Sequence, residues 1–560
     1  MTTKEEYYTA DSESPRKASL VDTARKEDLL SEAVAGTQAE HALGFWKSLK
    51  LYRTACLWSV FLSTCIIMEG FDITLINSLY AYEPFNKKFG ELHFDAEHPD
   101  GFYTLTAAWQ AGLSNGAYCG EIIGLFLAGI IADRFGYRKT LICALGLSCA
   151  FIFIIFFSQS LPQLLIGELL IGIPWGAFQT LTTTYAAEVC PLHLRAYLTT
   201  YVNLCWVIGQ LLSSGVLVAM LARDDEWGFR IPFALQWMWP VPLMIGIYLA
   251  PESPWWLVRK GRIEEAKHSL LRLTTRNSGL EFKPDETIAM IVHTNEMERE
   301  LQAGMTYWDL FKGTNLRRTE IVCAVWSVQA VCGASFMGYS TYFYKKVGLD
   351  DHGAFSMSLG QYGLGAVGTL LSWSLMGRFG RRTLYLYGQA LLCILLLIIG
   401  FASLAGRSNI ASQWAIGSML LVFTFIYDST VGPVCYSLVA ELSSTRLRTK
   451  TVVLARNVYN MLSIITNIIT PNMLNETAWN WGAKAAFLWA GTCFLCTTWT
   501  FFRLPEPKGR TYGELDILFE HGVSARKFAS TEVHSLQGNE HSVSAVEKVE
   551  SEQVEHVVKN

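Results

Sequence analysis

Five ionisable side chains fall inside long apolar runs of this 560-residue chain: Glu69, Asp72, Glu121, Glu168 and Arg456. A charge near the centre of a bilayer costs about 2.5–3.5 kcal/mol on insertion scales, and chains keep such groups where they face a cavity and act. Glu69 and Asp72 stand three residues apart, on one face of a helix. Two carboxyls that close in a low dielectric do not both ionise readily. That is the chemistry a proton carrier needs. Arg456 is the one cation found inside a predicted span, so it is the expected counter-ion to this acidic group. Glu121 lies within Gly116-x3-Gly120-x3-Gly124, where small residues let helices approach closely. For Glu121 a coupling role and a structural, hydrogen-bonded carboxyl stand equally.

The elements that must position these groups are membrane spans. Hydrophobic residues make up 51% of the chain and charged residues 17%, against about 25% in a soluble protein. Twelve apolar segments are long enough to cross a bilayer. They run over 54–82, 106–132, 140–159, 161–187, 197–221 and 231–250, then 319–345, 356–377, 383–404, 413–440, 450–474 and 483–503. The predicted fold is therefore an all-α membrane protein of twelve transmembrane helices in two six-helix halves, 54–250 and 319–503. A cytoplasmic linker, 251–318, joins them. Tails 1–53 and 504–560 are polar and expected to be cytoplasmic and largely disordered.

Charged marks repeat once in each half. The first set is Asp133-Arg134-Phe135-Gly136-Tyr137-Arg138-Lys139, then Glu188 with Arg195, then Pro251-Glu252-Ser253-Pro254. The second is Gly377-Arg378-Phe379-Gly380-Arg381-Arg382, then Glu441 with Arg448, then Pro505-Glu506-Pro507-Lys508-Gly509-Arg510. A repeat of membrane spans joined by short basic loops is the signature of a secondary transporter. The positive-inside rule places the basic loops, the linker and both tails in the cytoplasm. It places the sequon Asn475-Glu476-Thr477 outside, making Asn475 a glycosylation candidate.

Other chemistries are not supported. A net charge of -4 suits no polyanion, so no nucleic-acid partner is expected. Thirteen cysteines are scattered through apolar runs. The one close pair, Cys493 and Cys496, reads as packing, with no metal or cofactor expected. No constellation of nucleophile and base points to an enzyme. No Walker motif is present, so energy must come from a gradient.

At these motifs the chain resembles the sugar porter family of the major facilitator superfamily. Asp133 to Lys139 is similar to that family's loop between spans 2 and 3. Pro251 to Leu257 is similar to its motif after span 6, and Pro505 to Thr511 to its motif after span 12. A closer resemblance, to fungal maltose and general α-glucoside permeases, lies in Met68-Glu69-Gly70-Phe71-Asp72, in Pro174 to Thr182, in Tyr185 to Pro191 and in Tyr197 to Trp206. Those permeases are proton symporters of the plasma membrane.

The resemblance implies roles for individual residues. Asp133, Arg134, Arg138, Glu188, Arg195, Arg378, Glu441 and Arg448 would form a cytoplasmic gate, a set of ion pairs holding the outward-open state. Gly377 stands where the repeat would have an acid, and Ser444 where Pro191 has its counterpart. Asp72 matches the family's span 1 acid. Many sugar symporters place an arginine on span 4 opposite it, where this chain has Gly167-Glu168. Gln210 and Gln329 match glutamines that contact sugar in the family. Ala330, Ser335 and Tyr436 replace its second glutamine, an asparagine and a tryptophan, changes that leave room for a second sugar ring. A sugar needs amides, hydroxyls and aromatic plates, and Gln179, Thr183, Trp206, Tyr339, Asn457 and Asn460 are further candidates.

The expected function is proton-coupled uptake of maltose-type α-glucosides across the plasma membrane by a monomer in contact with lipid. Glu69, Asp72, Glu121, Glu168 and Arg456 would carry the coupling. Alternatives are a transporter of another glucoside or a secondary metabolite, an uncoupled facilitator, or a sugar sensor.

Overall fold

The computed structural model describes residues 31–36, 39, 43–94, 101–275, 282–302, 306–405, 409–443, 447–508, 510 and 512–531. Among the described residues, ten helices are long and apolar enough to cross a membrane. They are spans 1 to 6 (Arg53–Leu79, Ala107–Phe135, Tyr137–Phe156, Leu161–Val189, His193–Met220, Trp227–Leu249) and spans 9 to 12 (Arg381–Ala405, Ile410–Leu442, Lys450–Leu474, Gly482–Arg503). Span 8 is the helix Asp351–Arg378, long enough at 28 residues but rich in glycine and serine. Span 7 is interrupted: Gly313–Val331, then Ser335–Gly338, then Ser340–Val347, with Gly333 at φ +97 making the turn between the first two. All twelve expected spans fall on helices, with ends shifted by a few residues. One element departs from the all-helical expectation. Strands β1 (Glu91–His93) and β2 (Phe102–Thr104) pair antiparallel between spans 1 and 2.

The chain divides into two compact units. The smaller comprises Met1–Trp58, Ala187–Arg195 and Pro251–Ala303. Its helices include Pro254–Arg259, Ile263–Leu273 and Pro284–Gln302. Pro254–Arg259 starts on Ser253, whose hydroxyl accepts from the Trp256 N–H at 3.3 Å. Ile263–Leu273 carries Glu264 and Glu265 in its first turn and Arg272 in its last, matching the helix dipole, and buries Ala266, Leu270 and Leu273 on one face. The Thr275 N–H donates to the Leu51 carbonyl at 2.8 Å.

Both tails hold more structure than expected. Phe45–Leu51 is a helix in the segment predicted to be disordered, and residues 1–30 lie outside the described residues. After span 12, Tyr512–Glu520 is a helix. Leu515, Leu518 and Phe519, a helical stripe, are buried with Phe528. Arg318 forms an ion pair with Asp516, and its guanidinium lies 4.4 Å from the Phe519 ring centroid. Arg510 donates to the carbonyls of Phe528, Ala529 and Thr531 at 3.2, 3.3 and 2.6 Å. This segment belongs to the larger unit. The rest of the acidic tail, 532–560, lies outside the described residues.

The larger unit contains nearly all of both six-span halves. Spans 2 and 4 cross with their backbones in contact. A Cβ on Gly120 would lie 2.0 Å from the Leu169 oxygen, and one on Gly172 would lie 2.1 Å from the Ala117 oxygen. Side chains are excluded from this crossing, which carries Glu121 and Glu168 on either side. Gly172→Val must push the helices apart. Overpacking of this kind costs about 1–3 kcal/mol, so the variant should melt several degrees below wild type in detergent; an unchanged melting temperature would contradict the close crossing.

Candidate functional site

The intramembrane charges collect into two clusters of distinct composition. In the first, Glu69 of span 1 is fully buried and accepts two hydrogen bonds from Gln179 Nε2 of span 4, one on each carboxylate oxygen, both at 2.8 Å. Trp206 of span 5 lies beside the same carboxyl. Arg456 of span 11, 8% exposed, donates to Glu121 Oε1 of span 2 through Nη2 at 3.0 Å and Nε at 3.3 Å. Its Nη2 is 3.8 Å from Glu69 Oε1. The guanidinium also faces the rings of Trp326 and Tyr459, 4.9 and 4.6 Å from their centroids.

The second cluster has no cation among the described residues. Gln236 of span 6 donates to Asp72 Oδ1, and Glu168 of span 4 lies beside Asp72. All three side chains are 0–1% exposed. Asp72 Oδ2 and Glu168 Oε1 are buried without a hydrogen-bond partner among the described residues.

This arrangement corrects two expectations. Arg456 is not the counter-ion of the whole acidic group; it serves Glu121 and Glu69, while Asp72 is held by the Gln236 amide. Glu69 and Asp72 also do not share neighbours. Three residues turn a helix by about 300°, leaving the two side chains about 60° and 4.5 Å apart. One reaches spans 2 and 4, and the other reaches spans 4 and 6. Gln236 was missed, although it is the one amide within Trp227–Leu249 and so carried a signal.

The polar candidates divide by whether another group already holds them. Gln179 is engaged by Glu69, and Thr183 bonds its own helix, to the Gln179 and Thr180 carbonyls. Gln329 Nε2 donates to the Gly432 carbonyl at 3.1 Å, which leaves its oxygen for another donor. Tyr436 packs edge-on against Trp326 at 5.0 Å. Tyr339 stacks on Tyr80 at 6.2 Å. Gln210 is buried and makes no hydrogen bond among the described residues. Ser335 stands in the turn of span 7. Asn457 donates to Val453 O at 2.9 Å and keeps an unpartnered Oδ1, while both polar atoms of Asn460 are buried without a partner. Unpaired buried amides are rare and costly, so Asn457 and Asn460 mark a surface that accepts bonds from a polar guest. Sequence reasoning passed over Asp428, a carboxyl inside span 10, although the criterion that found Glu69 applies to it. It is buried, with Asn203 within reach, and its Oδ2 lies 2.5 Å from where a Gly365 Cβ would stand.

The residues expected to form a gate lie in different settings. Asp133 and Arg134 are exposed, with Arg134 over the Phe135 ring. Arg138 donates to the Ile247 carbonyl at 3.4 Å and to that of Tyr248. In the smaller unit Glu188 pairs with Arg259 at 2.8 Å and takes a bond from the Ser253 hydroxyl. Arg195, also of that unit, is half-buried near the start of span 5. Glu441 pairs with Arg381 at 3.1 Å and takes a bond from the Ser437 hydroxyl at 2.9 Å. The Arg378 carbonyl accepts from Lys508. The side chain of Arg448 lies outside the described residues. Glu506 caps span 9, accepting from the N–H groups of Arg381, Arg382 and Thr383 at 2.9, 3.1 and 3.4 Å.

At the opposite end the two halves meet. Ser78 and Thr341 hydroxyls are 3.2 Å apart, and Lys345 donates to the Ala81 carbonyl at 2.8 Å. Asn475 donates to the Leu105 carbonyl at 2.9 Å and is fully buried. That corrects the glycosylation expectation: the sequon nitrogen is already used in closing this end, and no room remains for a glycan.

The sequence profile of the sugar (and other) transporter family matches residues 58–519. The general alpha-glucoside permease of Saccharomyces cerevisiae is 45% identical over 517 residues, covering 90% of this chain and 83% of that protein. The maltose permease MAL61 of the same organism is 44% identical over 514 residues, with the same shares. Among solved structures, the proton:xylose symporter XylE bound to 6-bromo-6-deoxy-D-glucose has a TM-score of 0.67 at 20% identity, covering 84% of this chain and 99% of that one. A partially occluded inward open conformation of XylE from E. coli gives 0.64 at 19%, covering 82% and 99%. At that identity the likeness is one of fold.

Two outcomes follow from this geometry. Removing one member of a buried ion pair strands the other, at about 3–5 kcal/mol. Arg456→Gln should therefore lower the melting temperature more than the double variant Arg456→Gln with Glu121→Gln; equal losses would deny the pairing. Treatment of the expressed protein with endoglycosidase should leave its electrophoretic mobility unchanged, and a shift abolished by Asn475→Gln would show the buried amide to be wrongly placed.

Proposed function

The chain belongs to the sugar (and other) transporter family, and on that premise we propose that it takes up α-glucosides, disaccharides of the maltose type, across the plasma membrane together with protons. The observation that carries the coupled reading is the buried cation Arg456 of one half bound to Glu121 and beside Glu69 of the other. An uncoupled facilitator has no use for such groups, each costly to bury. The names of the permeases at 43–45% identity support the substrate class.

Sugar hydroxyls bond Gln210, the free oxygen of Gln329, Asn457, Asn460 and Asp428, while Tyr436 offers an aromatic face. These groups come from spans of both halves, so the site changes shape when the halves rock. The Asp72–Glu168 pair exchanges the transported proton, and its bond to Gln236 ties span 1 to span 6. Protonation of Glu69 or Glu121 weakens the hold on Arg456, and sugar binding between the halves favours the next closure.

Both termini and the basic loops face the cytoplasm. The end closed by Ser78, Thr341, Lys345 and Asn475 is then the outer one, and the conformation is inward-facing. Clamps at the cytoplasmic ends, such as Arg381–Glu441, hold spans within one half and leave the opening between halves free.

Uptake measured in cells lacking their own disaccharide transporters tests this reading. Added maltose should be accumulated and should make an unbuffered medium more alkaline. Asp72→Asn should abolish the alkalinisation and reduce accumulation at least tenfold, a loss of about 1.4 kcal/mol or more in driving force or barrier. Uptake of maltose without any pH change would overturn the symport; absence of uptake by surface-located protein would overturn the substrate class.

A further inference from the structure

Arg456 touches two kinds of partner, and they belong to different halves of the protein. Toward spans 1 and 2 it meets carboxylates, Glu121 Oε1 at 3.0 Å and Glu69 Oε1 at 3.8 Å. Toward spans 7 and 11 it meets ring faces, Trp326 at 4.9 Å and Tyr459 at 4.6 Å from their centroids. The two rings stand 5.5 Å apart, tilted, and Tyr436 of span 10 braces Trp326 edge-on at 5.0 Å. Trp326 is buried, and Arg456 itself is nearly so.

The two kinds of partner respond differently to a proton. A carboxylate holds a guanidinium only while it is ionised. A ring face attracts the cation through its quadrupole at any pH, and most strongly when both are out of water. A buried cation stripped of its carboxylate and given nothing else is strongly disfavoured. Held by acids alone, Arg456 would resist release, and the acids would resist protonation. Backed by two rings, it keeps a favourable contact after the acid has taken a proton.

We propose that Trp326 and Tyr459 are positioning residues of proton coupling: they hold Arg456 on the C-terminal half when Glu121 or Glu69 is protonated, so that the halves part without stranding the cation. The inference rests on the proton-coupled reading and deepens it. The titratable groups facing Arg456 are Glu69 from span 1, Glu121 and Tyr118 from span 2, Cys435 and Tyr436 from span 10, and Tyr459 from its own span. Of these, the two carboxyls are the groups whose charge is lost on taking up a proton; the phenols and the thiol are neutral when protonated.

The sign of the effect follows. Without the rings, the released arginine is less favourable, the ion pair persists, and a higher proton concentration is needed to break it. The pH at which uptake is half-maximal moves toward acid.

The test is the initial rate of maltose uptake against external pH, normalised to surface protein, for wild type, Trp326→Leu, Trp326→Phe and Tyr459→Leu. Trp326→Leu should move the midpoint toward acid by about one pH unit, a tenfold change in proton affinity. Tyr459→Leu should move it the same way, and carries the test alone if Trp326→Leu fails to reach the membrane. Trp326→Phe keeps a ring face and should lie near wild type. At the acid plateau, KM for maltose should stay within about twofold of wild type, because the rings do not act through ground-state binding. Unmoved midpoints in the leucine variants overturn the proposal, as does a Trp326→Phe midpoint shifted as far as that of Trp326→Leu. A raised KM with an unmoved midpoint overturns it too and makes Trp326 a plate for the sugar. Maltose uptake by wild type that does not depend on pH rejects the coupling reading itself, and this inference with it.

Discussion

A guanidinium buried in one half of the protein is neutralised by carboxyls buried in the other, and the surrounding architecture is constrained by that fact. Arg456 enters from span 11, Glu121 from span 2 and Glu69 from span 1. Separating such a pair without replacement costs about 3–5 kcal/mol, a large share of the stability of any fold. The pair must therefore be placed accurately, and any motion that opens it must supply a substitute. The glycine crossing of spans 2 and 4 meets the first demand. It brings the backbones into contact beside Glu121 and Glu168, so that both carboxyls hold fixed depths. The aromatic wall behind Arg456 meets the second.

Three of the helices that carry site residues are interrupted along their length. Span 7 turns at Gly333, just beyond Gln329. Span 10 breaks at Thr430, two residues past Asp428 and two before Gly432, whose carbonyl receives Gln329. Span 6 tightens into a 3-10 turn over Gln236–Met238, where Gln236 meets Asp72. A broken helix leaves backbone groups free to bond side chains or ligands, a cost accepted in a membrane only where protein or a cavity covers them. In this chain these interruptions fall beside buried polar side chains.

The two ends of the spans are fastened by different logic. At the basic-loop end, Arg381–Glu441 and the Glu506 cap join elements of the second half to one another. Each is partly open to water, where an ion pair is worth little and mainly fixes geometry. At the other end the bonds run between halves, through Ser78–Thr341, Lys345–Ala81 and Asn475–Leu105. Bonds within a half survive rocking, and bonds between halves must break and form.

Local properties of the chain were enough for much of this. Hydropathy read span by span located all twelve helices, because a bilayer-length apolar run has few other uses. The repeated marks at Asp133 and Arg378, at Glu188 and Glu441, and at Glu252 and Glu506 identified the duplicated transporter fold, since charge placement at helix ends is legible in order along the chain. The expense of an intramembrane charge singled out Glu69, Asp72, Glu121, Glu168 and Arg456. Which of them meet was decided by tertiary structure. Arg456 and Glu121 stand 335 positions apart, and no spacing rule connects them. A turn of about 60° between Glu69 and Asp72 sent neighbours of one helix to different partners. The burial of Asn475, the engagement of Gln179 and the pairing of Arg381 with Glu441 depend on how distant helices pack. Periodicity reports which residues share a face; only the packed bundle determines what each face meets.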